Sequence, residues 1–260
     1  MGTVTGGKRA PRPERLRVLL LAAAPEGDLR VGREQQRIRD AVRSATLREL
    51  VELEVHPAAT VDGFLDALVR FRPQVVHFSG HSARDLIAFE RDEDDFHEGA
   101  VVSAGAFADA VAAVDDRPLL VLLNSCRSAA QLEGLVGAVP FAVGMSDRMG
   151  DMAAIAYGAR FYAAVAEGQS VRAAHLLGRA AVALNGLPDH DIPVLVCAAD
   201  ADPGATRLVT PPREGEGDGG GGSAVSPPAA GGDTRNVFLG PTAVQSGEGS
   251  VQVNRFGFGR

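Results

Sequence analysis

Two residues able to carry out nucleophilic chemistry hold equivalent places in this sequence. The stretch "PQVVHFSGHS" runs into His81, and "RPLLVLLNSC" runs into Cys126. Each follows an apolar run at a polar, turn-forming tip. A thiol attacks as the thiolate, which needs a nearby base or cation to form at neutral pH. An imidazole meets that need and then protonates the departing amine. Turns beside both residues offer backbone N–H groups for an oxyanion. If the two strands are neighbours in one sheet, the pair projects from one edge and suits acyl transfer. On residue type alone, a small cysteine buried at a strand end is the alternative reading.

Strands and helices alternate around these tips. "RVLLLAA" (17–23) is a continuous apolar run, as expected of a strand buried on both faces. "VGREQQRIRDAVRSAT" carries apolar residues at helical spacing. "LVELEVH" alternates as a strand, and Thr60 caps a helix in "TVDGFLDALVRF". After the strand that carries His81, "DLIAFE" reads as a further short strand or hairpin arm, and "SAGAFADAVAAV" as a helix capped by Ser103. The strand that carries Cys126 is followed by a strand in "AVPFAVGM". Two glycine-closed helices and a last strand, "DIPVLVCAA", complete the series. This pattern predicts an α/β fold with a mostly parallel central sheet covered on both faces, with the strand C-termini on one edge. Chemistry in such sheets gathers at that edge.

Composition narrows the function classes. A net charge of −7 argues against a general nucleic-acid binder, although "GKRAPRPERLR" is locally basic. No run approaches the roughly 20 apolar residues of a membrane span, and neither a signal peptide nor a lipidation signal is visible. Two cysteines are no disulfide scaffold and fit a reducing cytoplasm. Cys197 reads as core filling. His77 lies four residues before His81, but a strand and turn do not put such a pair on one face and no third ligand is evident, so neither metal nor cofactor is expected. His97 lies in an acidic loop (91–98) that is either solvated or steers substrate, and His175 and His190 read as helix and loop residues. The domain limits expected are a disordered leader over 1–16, the α/β domain over 17–202, a flexible Gly/Pro linker over 203–235 and a distinct tail over 236–258.

The spacing of the two tips has a known parallel. Caspases carry Q-A-C-[RQG]-G with the histidine about 50 residues upstream. Here the separation is 126 − 81 = 45 residues, and Asn124, Ser125, Cys126, Arg127 and Ser128 hold the signature positions. With "VLLLAAAPEGDLRVGREQQRIRDAV", "FRPQVVHFSGHS", "VLLNSCRSA", "AVGMSDRMGDMAAIAYGARFYAAVAEGQSV" and "HDIPVL" in order, residues 17 to about 198 resemble the CHAT family of caspase-like cysteine peptidases of clan CD. The resemblance implies a caspase-like three-layer sandwich, with His81 as general base and acid and Cys126 as nucleophile. It also implies an oxyanion hole from the backbone N–H groups of Ser82 and Cys126. Ser82 stands where the family usually has glycine, which bears on catalytic efficiency. Asn124 holds a position that in caspases lines the pocket for the residue before the scissile bond. Asp147 and Asp151 are candidates for lining a pocket for a basic residue, the alternative for Asp151 being a favourable helix N-terminus.

The tail "NVFLGPTAVQSGEGSVQVNRFGF" has two similar tetrads, Val244-Gln245-Ser246-Gly247 and Val251-Gln252-Val253-Asn254. An N-x-F pair also recurs, first as Asn236 with Phe238 and then, from the last residue of the second tetrad, as Asn254 with Phe256. Two alternating arms around a glycine turn suit a β-arch, and stacked copies would form Asn and Gln ladders over a dry face of Val side chains with Phe238 and Phe256. A single copy would be marginal. The alternatives are a polar disordered tail or an extra edge strand. The tail resembles the amyloid signalling motifs of bacterial immune pathways and the motif of animal RIP kinases. Ser246 departs from the branched residue usual there, and Asn254 from the second glycine. That resemblance implies a cytoplasmic peptidase effector of regulated cell death or antiphage immunity, recruited by an NLR-like NTPase sensor with a matching motif. The rivals are a non-catalytic adaptor that scaffolds partners, and a small-ligand binding module, which the absence of a Gly-rich phosphate loop disfavours.

Overall fold

In the computed structural model the described residues are 15–24, 29–83, 86–91 and 99–210. Most of the expected leader and linker lie outside them. So does the whole 236–258 motif: Asn236, Phe238, Val244, Gln245, Gly247, Val251, Gln252, Val253, Asn254 and Phe256 all fall outside the described residues. Six strands form the central sheet: β1 (Leu16–Ala23), β2 (Val51–His56), β3 (Val75–Gly80), β7 (Leu120–Asn124), β8 (Phe141–Met145) and β9 (Pro193–Cys197). Their spatial order is β2-β1-β3-β7-β8-β9. The first five are parallel, and β9 runs antiparallel to β8. The expectation that all strand C-termini share one edge therefore fails for β9. A single crossover helix returns the chain to the starting edge of a sheet. Here two successive helices, α5 (Asp151–Ala166) and α6 (Val171–Leu184), lead from β8 to β9. The second helix carries the chain back to the far edge, so the last strand enters reversed.

Side chains alternate across the sheet and feed two cores. On one face Val18, Leu20, Val75, Leu120 and Leu122 meet Ile38 and Val42 of α1 (Val31–Arg43), with Tyr157 and Phe161 of α5. On the other Leu19, Leu21, Val76, Phe78, Val121 and Leu123 meet α2 (Val61–Arg70), α3 (Ala104–Ala112) and α4 (Leu132–Leu135). A second, antiparallel sheet joins β4 (Ser82–Ala83), β5 (Leu86–Phe89) and β6 (Ala100–Ser103). The hairpin arm expected at "DLIAFE" is β5; β6 and α4 are too short for a periodic signal. The two predicted caps are made: Thr60 Oγ1 accepts from Gly63 N–H at 3.1 Å, and Ser103 Oγ accepts from Ala106 N–H at 3.1 Å.

The packed chain extends past the boundary expected at residue 202. Arg207 forms a β-bridge with Ser170, Arg172 N–H donates to Pro203 O at 2.8 Å, and Val209 is buried in the first core. The composition around Pro203 is polar, but one apolar side chain and a few backbone bonds hold it on α6. Among the described residues no helix is long and apolar enough to cross a membrane.

Candidate active site

β3 and β7 are adjacent and parallel, with Ser79 paired to Asn124. His81 and Cys126 each lie two residues beyond that pair, at the same sheet edge. Both are half-buried, and both line a cavity of about 550 Å³. Gly80 lets β3 reach this edge: a Cβ there would lie 2.4 Å from Ala23 O of β1. Beyond His81 the chain passes into the second sheet, where Ala88 N–H donates to His81 O at 3.1 Å.

The turn after Cys126 is sharp. Arg127 is a non-glycine residue in the left-handed region, at φ 59° and ψ 18°, a conformation that costs about 1 kcal/mol or more. It leads into a short 3₁₀ helix, Ser128–Gln131. The fully buried Ser128 holds this turn: its Oγ lies 2.9 Å from Leu123 O and 2.8 Å from Ser125 O, and accepts from Met145 N–H at 2.9 Å. Ser82 then ties the two tips together, its hydroxyl donating to Cys126 O at 2.7 Å.

A buried polar network lies beneath the edge, on the α1/α5 face. Period-two alternation puts His77 and Ser79 of β3 and Asn124 of β7 on this face with Val75 and Leu122. Glu34, in the first turns of α1, reaches in to meet them. Its Oε1 is 3.0 Å from His77 Nε2 and accepts from Asn124 Nδ2 at 2.5 Å. Tyr162 Oη is 3.2 Å from His77 Nδ1, and Ser79 Oγ is 2.8 Å from Nε2. Asn124 Nδ2 also donates to Ala154 O of α5 at 3.2 Å. Burial pushes the Tyr162 hydroxyl far above its usual range, with the Glu34 carboxylate adding to the effect, so this phenol serves as a hydrogen-bonding group. Gly158 makes the approach of α5 possible, because a Cβ there would lie 3.1 Å from Glu34 Oε1.

The candidate pocket residues are not all brought together. Asn124 and Asp151 line the cavity shared by His81, Ser82 and Cys126. Asp147 does not; it lines a second cavity of about 480 Å³ with Arg127 and Arg148, which Ser82 and Cys126 also border. The Arg148 backbone N–H and the Arg127 side chain hold the Asp147 carboxyl below its ordinary range, the Arg127 Nε to Asp147 Oδ1 distance being 3.3 Å. Cys126 thus stands between two cavities of different charge. Asp151 begins α5, as its alternative reading held. Cys197 is on the edge strand β9, and burial raises its thiol.

Sequence reasoning missed Glu34, Ser79 and Asp189, the last lining the first cavity and accepting from Gly150 N–H at 2.9 Å, and it placed Ser128 in the signature without its role in holding the turn. The arrangement sets a thiol and an imidazole in the lining of one cavity, on strand tips joined by the Ser82–Cys126 hydrogen bond, beside a buried polar network. Such an arrangement suits acyl transfer. The CHAT domain family model matches the chain over residues 5–193. Comparison with curated proteins gives no match. The family match spans well over half of the 260 residues, and the mixed α/β fold with its mostly parallel sheet agrees with it. The chain belongs to the CHAT domain family, whose members have a caspase-like fold.

Proposed function

We propose that this protein is a cysteine endopeptidase in which Cys126 is the nucleophile and His81 the general base and acid. The observation that carries this reading is the equal offset of the two residues beyond the paired Ser79 and Asn124, in the lining of one cavity. His81 takes the thiol proton as Sγ attacks the scissile carbonyl. The backbone N–H groups of Ser82 and Cys126 steady the oxyanion, and the same proton goes to the leaving amine as it departs. Water then hydrolyses the thioester.

The tail adds a mode of control. Residues 236–258 recruit the domain into fibres templated by an NLR-like NTPase sensor with a matching motif. The chain between fibre and domain raises the local concentration of peptidase domains, and cleavage follows as part of regulated cell death or antiphage defence. The support for this half is the repeated tetrads of the motif and its recurring N-x-F pair ending in Phe238 and Phe256.

The test is to identify new protein N-termini in a cell proteome after seeding the protein with fibres of its own 236–258 peptide, beside Cys126→Ala. New termini with the wild type alone are expected. Identical proteomes, with fibres present in both, would instead establish a non-catalytic adaptor. A peptide that stays soluble and cannot be seeded would remove the amyloid half.

A further inference from the structure

The floor of the cavity beside Cys126 has hydrogen-bond acceptors left over. Asn124 is 7% exposed, and its amide orientation is fixed: Nδ2 faces two acceptors, Glu34 Oε1 and Ala154 O. Its Oδ1 is then buried without a partner, and so is the Oγ of Ser125, a residue 5% exposed. Both residues line the cavity. Buried polar atoms are nearly always satisfied, so two orphans side by side call for an explanation.

The charge of the site points the same way. Glu34 lines the cavity although it is only 4% exposed. His77 Nε2 lies 3.0 Å from Glu34 Oε1 and 2.8 Å from Ser79 Oγ, and its Nδ1 lies 3.2 Å from Tyr162 Oη. The contacts that His77 and Asn124 make with Glu34 both fall on Oε1. Asp151 and Asp189 add two acids to the lining, and Arg30 and Arg148 are the bases there. Among the described residues no N–H donor reaches Asn124 Oδ1 or Ser125 Oγ, and a cation rich in N–H donors would supply them.

We infer that this cavity receives an arginine side chain of the substrate, that of the residue whose carbonyl Cys126 attacks, with Glu34 as its specificity-determining carboxylate and Asn124 and Ser125 as neutral acceptors. A guanidinium offers five donors in a planar fork, enough to meet a carboxylate and two further oxygens together. Lysine brings the charge with fewer, less directional donors and fits second. An aspartate or glutamate would face Glu34 and is rejected. The inference rests on the peptidase reading, since it assigns a subsite of that reaction. It differs from the pocket expected from Asp147, whose carboxylate is engaged by Arg127 in the other cavity.

The test uses the full chain, seeded with its tail peptide, and four acyloxymethyl ketone probes that differ only in the side chain next to the reactive group: Arg, Lys, Leu or Asp. The Cys126 thiolate displaces the probe's carboxylate and forms a thioether, read by intact mass and peptide mapping. Labelling is expected to be fastest with Arg, at least tenfold faster than with Leu, and slowest with Asp. In Glu34→Gln the Arg-to-Leu ratio should fall about tenfold or more, the size expected for a lost charge-assisted hydrogen bond. The wild-type ratio stands as a test even if that variant folds poorly, and Ser125→Ala gives a second, milder reduction. Faster labelling by Leu or Asp would overturn the subsite and leave the peptidase intact. Labelling of Cys126 by none of the four would overturn the peptidase reading and the subsite with it.

Discussion

The hydroxyl of Ser82 donates to the backbone carbonyl of Cys126 at 2.7 Å. This bond joins the chain leaving β3 to the chain leaving β7, immediately after one candidate catalytic residue and at the other. The family's usual glycine has no side chain to make such a bond. On the proposed peptidase reading the serine has two opposing effects to be tested: its Cβ would narrow the approach of substrate, and its Oγ ties the two tips together. Ser82→Ala keeps the first effect and removes the second. Loss of one partly buried hydrogen bond should cost about 1 kcal/mol, a fall in Tm of roughly 2–4 °C for a domain of this size. Labelling of Cys126 by a substrate-like probe should slow as the tips lose their fixed spacing. Ser82→Gly should lose the same stability yet recover part of the rate, because it opens the approach. A Ser82→Gly variant slower than Ser82→Ala would show that the Cβ is no obstacle.

The two members of the proposed dyad should separate chemistry from folding. Both are half-buried, at strand tips outside the two cores, so Cys126→Ala and His81→Ala should melt within about 1 kcal/mol of the wild type. Cys126→Ala should abolish fibre-dependent proteolysis. His81→Ala should reduce it by a factor of about 10² to 10⁴, the usual contribution of a positioned base and acid. Turnover of a peptide substrate, measured on fibre-seeded protein with melting curves beside it, checks both. A His81→Ala protein with wild-type turnover would remove His81 from the mechanism.

The parts of this arrangement that were legible in the sequence were those with a local signal. "RVLLLAA" is apolar at every position because β1 is buried on both faces, and Thr60 and Ser103 announce their helices by chemistry within three residues. His81 and Cys126 could be paired because each ends an apolar run. Glu34 could not be found in this way. It stands in "VGREQQR", among charged residues, and it is buried against α5, where Gly158, 124 residues later (158 − 34), leaves room for its carboxylate. Asp147 and Asp151 are four residues apart, yet they line different cavities, because the turn between β8 and α5 separates them. The reversal of β9 depends on how two helices return the chain across the sheet, which no single segment encodes.

Glycine at position 80 is a packing requirement, and this can be tested without assaying activity. A Cβ would sit 2.4 Å from Ala23 O and 3.0 Å from two ring carbons of Phe78. Neither a strand backbone nor a fully buried ring can yield cheaply. Gly80→Ala should therefore destabilise the domain by about 3 kcal/mol. Gly105, in α3, has nothing within 4 Å of the corresponding position, so Gly105→Ala should be neutral or stabilise by up to about 1 kcal/mol. Urea titration of the two variants should move the midpoint in opposite directions, or leave Gly105→Ala unmoved. Equal losses would show that the β1–β3 contact has more room than its geometry indicates.

Acid should weaken the domain through His175, which does not line the cavity shared by His81 and Cys126. His175 lies on α6, buried against α5, with Tyr157 Oη 2.9 Å from its Nδ1. Burial, aided by the Arg179 charge, lowers its pKa from 6.5 to about 4. Burial likewise raises the Tyr157 hydroxyl far above its usual range, so the phenol keeps its proton beside the ring, with its Oη 2.9 Å from Nδ1. Between these two pKa values the unfolded chain binds a proton that the folded protein excludes, so stability increases with pH across that window. The contribution is present in full above about pH 6.5 and is lost progressively as the pH falls towards 4. From pH 7 to pH 4.5 it amounts to something on the order of 2 kcal/mol. His175→Gln keeps a hydrogen-bonding group beside Tyr157 and cannot titrate. Urea unfolding of both proteins at the two pH values should show the wild type losing more stability than the variant, by about that amount. Parallel losses in the two would mean that carboxylates elsewhere carry the acid sensitivity and that His175 is protonated without cost in the fold.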